Sequence, residues 1–345
     1  MIRESYPYGI TGIIVSFNTR DLLRECLQSF LKECAEYAER AGLTEDATAE
    51  ILVVDNASRD GSPEMVESEF SASTFSVRLI RSAVNLGFGA ANNLAIEQAQ
   101  GRYIVLLNSD AFLHPGALSR AVELMDKNPA VGFGGARLVG RDGTWQPSGR
   151  LFHTIWRDTI TLTGLAAKFP KSRIFGAPDR TWADQNVAAD VDWVPGAFFI
   201  IRREALKKIG LFDPRFFLYY EETDLCRRVK VAGYRVAYWP EVVVTHIGGE
   251  SGKQLNSLTE SKAVSRVTLW RMRSTLLYYR KHHGWQARLA RSLETGLYRL
   301  TWLRNRNSSD LARRERASEA LTLAALMDQA WQETRGGRVS PQVPW

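Results

Sequence analysis

"YIVLLNSDAF", residues 103–112, sets four apolar residues, Ile104 to Leu107, directly against Asn108, Ser109 and Asp110 before the chain turns apolar again. An unpartnered carboxylate is costly to bury, so a core strand ending this way delivers its polar groups to something other than packing. The same form recurs upstream. "GIIVSFN" (12–18) breaks off at Ser16-Phe17-Asn18, "ILVVDNASRDGS" (51–62) at Asp55-Asn56-Ala57-Ser58, and "VRLIRS" (77–82) at Arg81-Ser82. Between these runs, Leu22, Leu23, Cys26, Leu27, Phe30, Leu31 and Cys34 recur at helical spacing. "NLGFGAANNLAIEQA" (85–99) is a glycine-containing loop entering a helix, and "HPGALSRAVELM" (114–125) is a helix after the fourth strand. Apolar strands alternating with helices predict an α/β fold with a mainly parallel sheet covered on both faces. Ligands of such sheets bind beyond the carboxyl ends of the strands, so the four polar ends are expected to face one crevice.

The totals agree with a folded enzyme-sized chain. There are 345 residues, 45% hydrophobic and 24% charged, enough for one large or two ordinary domains. No apolar run is long enough for a spanning helix, and "MIRESYPYGI" lacks a signal-peptide core. The three cysteines, Cys26, Cys34 and Cys226, have neither disulfide-framework nor zinc spacing, which makes a cytoplasmic, reducing compartment the expectation.

Further along, "VGFGGARLVGRDGTWQPSGR" has strand-like alternation with many glycines. "VDWVPGAFFIIRREALKKIG" (191–210) reads as a strand and a short helix, and Glu221 to Ala232 as a helix stopping before Gly233. "YRVAYWPEVVVTHIGG" reads as short strands ending on His246, and after about Gly252 the pattern is helical, over 261–281, 285–304 and 309–334. The expected domains are therefore a catalytic unit over 1–252 (halves 10–130 and 131–252), a basic helical extension over 253–334, and a flexible tail over 335–345.

Several groups suit chemistry. Asp110, beside Asn108, has the oxygen ligands that Mg2+ or Mn2+ prefer, and Asp55 could accept hydrogen bonds from a base or a sugar. Each aspartate alone would equally serve as a helix cap. The glycines of "NLGFGAANN" allow backbone to approach an anionic phosphate at a helix start, although they lack the third glycine of a dinucleotide fingerprint. In "YYEETDLCRR", Glu221, Glu222 and Asp224 crowd a helix N-terminus, whose dipole favours ionised acids, so one could take a proton from an attacking hydroxyl. The preceding "FFLYY" could supply a stacking wall. His246, one of five histidines, could join Asp110 at a metal.

Taken together, "VSFNTRDLLRECLQSF", "VVDNASRDGS", "NLGFGAANNLAI", "YIVLLNSDAFLHPGAL", "VDWVPGAFFIIRREALKKIGLFDPRFFLYYEETDLCRR", "AGYRVAYWPEVVVTHIGGES" and "RSTLLYYRKHHG" resemble the inverting GT-A glycosyltransferases of family 2, within them the bacterial rhamnosyltransferase type, over roughly residues 10–284. The resemblance implies the GT-A (nucleotide-diphospho-sugar transferase) fold with a mainly parallel central sheet, plus a C-terminal helical extension. It implies that Asn108-Ser109-Asp110 takes the place of the metal motif, Asn108 standing for its first acid. Asp110 would hold Mg2+ or Mn2+ on the donor diphosphate, with His246 completing the site. Asp55 would bind the nucleobase with help from Ser16 and Asn18, while Asn85, Gly89, Asn93 and Ser109 would belong to the nucleotide-sugar side, and Trp193 and Gly196 to the acceptor side. Glu222 would be the base, at a position where the family usually has Asp; Glu221 is the reserve candidate and Asp224 the next. The donor implied is dTDP-L-rhamnose, and the acceptor a glycan or lipid-linked hydroxyl in cell-surface polysaccharide synthesis. A different class, an inactive member binding nucleotide or a polyanion, is opposed by the retained Asp110, Glu222 and His246.

Charge is uneven. Lys262 to Arg306 carries eleven basic residues against one acid, Glu294, in a chain of net charge +7. In "WQARLARSLETGLYRLTWLRNR", Trp285, Leu289, Leu293, Leu297, Leu300 and Leu303 form one helical stripe bordered by Arg288, Arg299 and Arg306. That pattern fits a helix lying on an anionic membrane, so 261–306 is a candidate peripheral membrane surface on the inner face of the cell membrane. It fits equally a helix docked on the catalytic unit with a solvated basic face. No nucleic-acid module is present, and nucleic acid is not expected as a partner.

Overall fold

The computed structural model describes residues 6–248 and 260–342. The domain boundary expected at 252–253 and the last three residues of the tail lie outside that description. In chain order the elements are β1 (Tyr8–Ser16), α1 (Arg20–Ala41), α2 (Glu45–Thr48), β2 (Ala49–Asp55), α3 (Ser62–Phe70), β3 (Ser76–Arg81), α4 (Phe88–Ile96), β4 (Gly101–Asn108), β5 (Ala111–Leu113) and α5 (Ala117–Lys127). They continue as β6 (Val131–Val139), β7 (Trp145–Gln146), α6 (Ile155–Leu162), α7 (Leu165–Lys168), β8 (Ala189–Val191), β9 (Phe198–Arg202), α8 (Arg203–Ile209), α9 (Glu221–Val231) and β10 (Arg235–His246). Three C-terminal helices follow, α10 (Glu260–His283), α11 (Gln286–Asn305) and α12 (Leu311–Glu333).

The strands form one sheet in the order β3-β2-β1-β4-β9-β6-β10-β5, with β7 on β6 and β8 on β10. β3, β2, β1 and β4 are mutually parallel. β9 then enters antiparallel to both β4 and β6, and β10 runs parallel to β6. The mainly parallel sheet is thus confirmed, with one reversed strand at its centre. Two apolar layers cover its faces, one around Ile14, Phe30, Val53 and Val105, the other around Ile13, Leu52, Leu106 and Phe199.

Three expectations need correction. β10 is one strand of 12 residues, not several short ones; its pairing with β6 shifts register between Trp239 and Val243, where Pro240 lacks an N–H to donate. The β3 end does not reach the crevice, because Arg81 is drawn aside by Glu64 and Glu67. Residues 335–342 are not a free tail: Gly336 O accepts from Arg280 Nε, Ser340 Oγ donates to Arg215 O, and a side chain on Gly337 (φ 78°) would stand 2.2 Å from Leu276 O. The apolar run is short there, but backbone docking needs no apolar side chain.

The C-terminal helices continue the catalytic core. Leu277, Tyr278 and Tyr279 of α10 pack with Phe216 and Tyr220, and with Ala287 and Ala290 of α11. Among the described residues no helix is long and apolar enough to cross a membrane.

Candidate active site

The ends of β1, β2 and β4 meet the α4 start and the loop before α9 around a cavity of about 300 Å³. Asn108, Ser109, Asp110, Asn56, Asn85, Gly196, Glu221, Glu222 and His246 all line it. The loop at Asn85 is held by Asn56, which donates to Asn85 Oδ1 (2.9 Å) and accepts from Leu86 N (2.8 Å). Gly87 (φ 80°) lets this loop touch the loop before α9: Phe88 N donates to Phe217 O, and a Cβ on Gly87 would stand 2.1 Å from that oxygen.

Asp55 is buried at the end of β2. Its Oδ2 accepts from Ser58 N, while Oδ1 has no partner among the described residues. Burial pushes this carboxyl up, partly offset by hydrogen bonds from Ser58. An orphaned buried acceptor awaits a donor, which suits the N–H of a base. Asp55, Ser16 and Asn18 do not line the cavity, whereas Asn56, next to Asp55, does. Ser16 Oγ bonds Thr19 Oγ1, which donates to Ser109 Oγ, and Asn18 Oδ1 accepts from Arg59 N; both fix the loops that carry Asp55 and Ser109.

Asp110 Oδ1 lies 3.6 Å from His246 Nε2. His246 Nδ1 faces Gln146 Oε1 at 3.0 Å, so Nδ1 carries the proton and Nε2 presents its lone pair toward Asp110. Burial pushes the imidazole pKa down, opposed by the Asp110 charge. A carboxylate oxygen and an oriented imidazole nitrogen suit a hard divalent cation whose remaining positions go to diphosphate oxygens and water. No group of three or more His, Cys, Asp or Glu side chains gathers around a metal position among the described residues, so these two would be the protein's share. Gln146, which orients His246, carries no signal in the sequence.

The acidic triplet divides sharply. Tyr219 and Tyr220 precede it at φ 68° and 70°, strained conformations for side-chain-bearing residues, costing about 1–3 kcal/mol each. Burial of Tyr220 against His153 and Tyr278, and a hydrogen bond from Ser274 Oγ to Leu218 O, hold them there. Asp224 is fully buried and faces away from the cavity. Its Oδ1 takes Lys281 and His282, both at 2.6 Å, and its Oδ2 takes Arg228 at 2.9 Å. Burial would raise its pKa, yet those bonds hold it below the usual range. Both of its oxygens are thus taken up by cations.

Glu221 and Glu222 have raised pKa values, contrary to the expectation of dipole-stabilised ionised acids. Burial lifts Glu221 well above the ordinary value, and the Glu222 charge adds to the lift. Burial also lifts Glu222, but Arg150 and His153 pull it back. Both carboxyls are thus pushed upward, with the Glu222 charge adding to the lift on Glu221 and Arg150 and His153 moderating the lift on Glu222. Each has an Oε2 without a partner among the described residues.

A second cavity of about 280 Å³ lies behind Glu222, between the segment 150–162 and helices α10 and α11. Tyr219 and Glu222 line both cavities. Trp193 lines the second and Gly196 the first, so the two expected acceptor-side residues are separated. His153 also lines the second. Its Nδ1 bonds Asp158 Oδ1 (2.8 Å), and Asp158 Oδ2 accepts from Tyr279 (2.6 Å). Asn93 and Gly89 line neither cavity. Asn93 exchanges two hydrogen bonds with the Phe212 backbone, and Gly89 lets α4 approach Phe212 and Glu221. Gln146, His153 and Trp270 were not singled out from the sequence, and Asn56 only as part of a polar strand end.

The chain belongs to Glycosyl transferase family 2, whose family model matches residues 11–210. It is rhamnosyltransferase-like. The N-acetylglucosaminyl-diphospho-decaprenol L-rhamnosyltransferase of Mycobacterium tuberculosis is 25% identical over 254 residues, 70% of this chain and 78% of that protein. Rhamnosyltransferase WbbL of Escherichia coli K12 is 24% identical over 202 residues, 56% of this chain and 69% of that protein. The fold matches the mannosyltransferase PcManGT from Pyrobaculum calidifontis, solved with GDP-Man and Mn2+, at TM-score 0.56 and 16% identity, over 96% of this chain and 89% of that one. Glu221, Glu222 and His246 lie beyond the family-model match.

Proposed function

We propose that this glycosyltransferase moves L-rhamnose from dTDP-L-rhamnose, with inversion, onto a hydroxyl of a glycan or lipid-linked acceptor at the inner face of the cell membrane, in cell-surface polysaccharide synthesis. The placement of Glu222 in the lining of both cavities carries the reading. A donor in the first cavity and an acceptor in the second would meet beside Glu222 and Tyr219, which line both. The rhamnosyltransferase names of the two relatives support the donor, and the lipid-diphosphate substrate in one of those names supports the acceptor.

Asp55 would receive the nucleobase on its orphaned oxygen, and the start of α4 would face the diphosphate. Asp110 and His246 would hold Mg2+ or Mn2+, which supplies positive charge to the departing nucleoside diphosphate. Glu222 takes the proton of the acceptor hydroxyl as its oxygen attacks the anomeric carbon, and the bond from that carbon to the diphosphate breaks on the opposite side.

The test is nucleoside diphosphate release from a panel of nucleotide sugars, with Mg2+, Mn2+ or EDTA, in the presence of a diphosphate-linked N-acetylglucosaminyl lipid. Release from dTDP-L-rhamnose, lost with EDTA and in Asp110→Ala, is the expected result. Absence of both turnover and metal-dependent binding for every nucleotide sugar would overturn the reading.

A further inference from the structure

Helix α11 packs with the wrong side inward. Its buried face consists of Ala287, Ala290, Glu294 and Thr295, small or polar residues. Its large apolar residues point out: Trp285, just before the helix, is 68% exposed, Leu300 50% and Leu303 52%. Leu289, Leu293 and Leu297, on the same stripe, are only half-buried. An amphipathic helix ordinarily buries its leucines, so an outward stripe spanning about 27 Å from 285 to 303 marks a surface built to be covered.

The charges decide what covers it. Arg288, Arg299 and Arg306 are exposed along one border, and Arg304, in the last turn, is exposed as well. The one acid of the segment, Glu294, is turned inward and spent on Arg271 and Tyr298. Arg299 reaches Asp328 only at 3.5 Å and stays 62% exposed. A second copy would set these basic rows against each other, whereas an anionic lipid surface would neutralise them. We infer that α11 lies in the plane of an anionic membrane, with Trp285, Leu300 and Leu303 in the apolar layer and the arginines among phosphate headgroups.

This narrows the candidate surface drawn from the sequence. α10 is excluded, since Leu269, Trp270, Met272, Leu276, Leu277, Tyr278 and Tyr279 are buried in the protein. It also adds a residue: α6 packs on α11 and carries Trp156, 60% exposed. Both helices line the second cavity, through Leu162 and Glu294. A membrane on α11 would therefore lie near that cavity, which serves a lipid-carried acceptor if the proposed function holds; the docking itself does not depend on that function.

The experiment is co-sedimentation of the full chain with phosphatidylglycerol-containing vesicles and with pure phosphatidylcholine vesicles, in the absence of any sugar substrate. The wild type should sediment with the anionic vesicles, more weakly at high salt, and far less with the neutral ones. Arg288→Gln, Arg299→Gln and Arg306→Gln together should weaken binding by about fivefold per arginine removed. Trp285→Gln, Leu300→Gln and Leu303→Gln together should abolish it while the melting temperature holds, because all three side chains are exposed. Equal binding by wild type and the apolar triple variant would overturn the inference. So would a wild type that binds neither vesicle, or a dimer in solution that the apolar variant converts to monomer.

Discussion

Replacing Asp224 by asparagine should destabilise the fold by about 3 kcal/mol, near the low end of what breaking a buried ion pair costs. The low end follows from what each cation keeps. Lys281 retains Asp213 at 2.8 Å, and Arg228 retains the carbonyls of Ile209 and Leu211, both at 2.7 Å. The asparagine still offers one oxygen, so the loss is the charge and one acceptor. The assay is the urea midpoint of unfolding at unchanged slope, compared with wild type. A pH series adds a signature. The Asp224 carboxyl is held below its ordinary value, so its stabilising share is present above about pH 4 and lost as pH falls through the lowered value. The variant should lack that acid limb. Because the same contacts tie α10 to α9, turnover should fall with stability. A loss under about 1 kcal/mol, with the acid limb intact, would refute the claim that this carboxylate is structural.

Three other outcomes follow from the geometry. Turnover should need ionised Glu222 and so rise with pH through a value above the ordinary 4.5; Arg150→Gln should move that limb higher, seen in kcat/KM against pH. Gln146→Ala should leave His246 free to turn and weaken metal affinity about 10–100-fold, read by titrating Mn2+ against donor binding. Gly87→Ala combines positive φ with a 2.1 Å approach to Phe217 O, and should lower both melting temperature and donor affinity.

The α/β half was legible because β1, β2 and β4 are continuous apolar runs ending on polar residues, and the helices between them keep a 3.6-residue period. The reversed strand β9 was not, since "FFII" is buried on both faces and carries no sign of its direction. Helices α6 and α7 escaped because their segment mixes Thr, Gly and charged residues with little buried surface. The crevice was legible where a single strand end carries the polar group, as at Asn108 to Asp110, which line the first cavity. It was not where long-range packing decides. Nothing near "EETD" tells that Lys281 and His282, more than fifty residues on, claim Asp224, or that burial lifts Glu221 and Glu222 instead of the helix dipole lowering them. The leucine stripe of α11 was read correctly as a stripe, but only the packing of Ala287 and Ala290 tells which way it faces.

The central claim is that Glu222, which lines both cavities, takes the acceptor proton while Glu221 does not. It is tested most directly by comparing Glu222→Gln and Glu221→Gln for donor binding and for sugar transfer on the same preparation. The account predicts that Glu222→Gln binds donor as wild type does and transfers about 100- to 10,000-fold more slowly, while Glu221→Gln keeps transfer within about tenfold. Transfer by Glu222→Gln close to the wild-type rate, or a loss confined to Glu221→Gln, would contradict it.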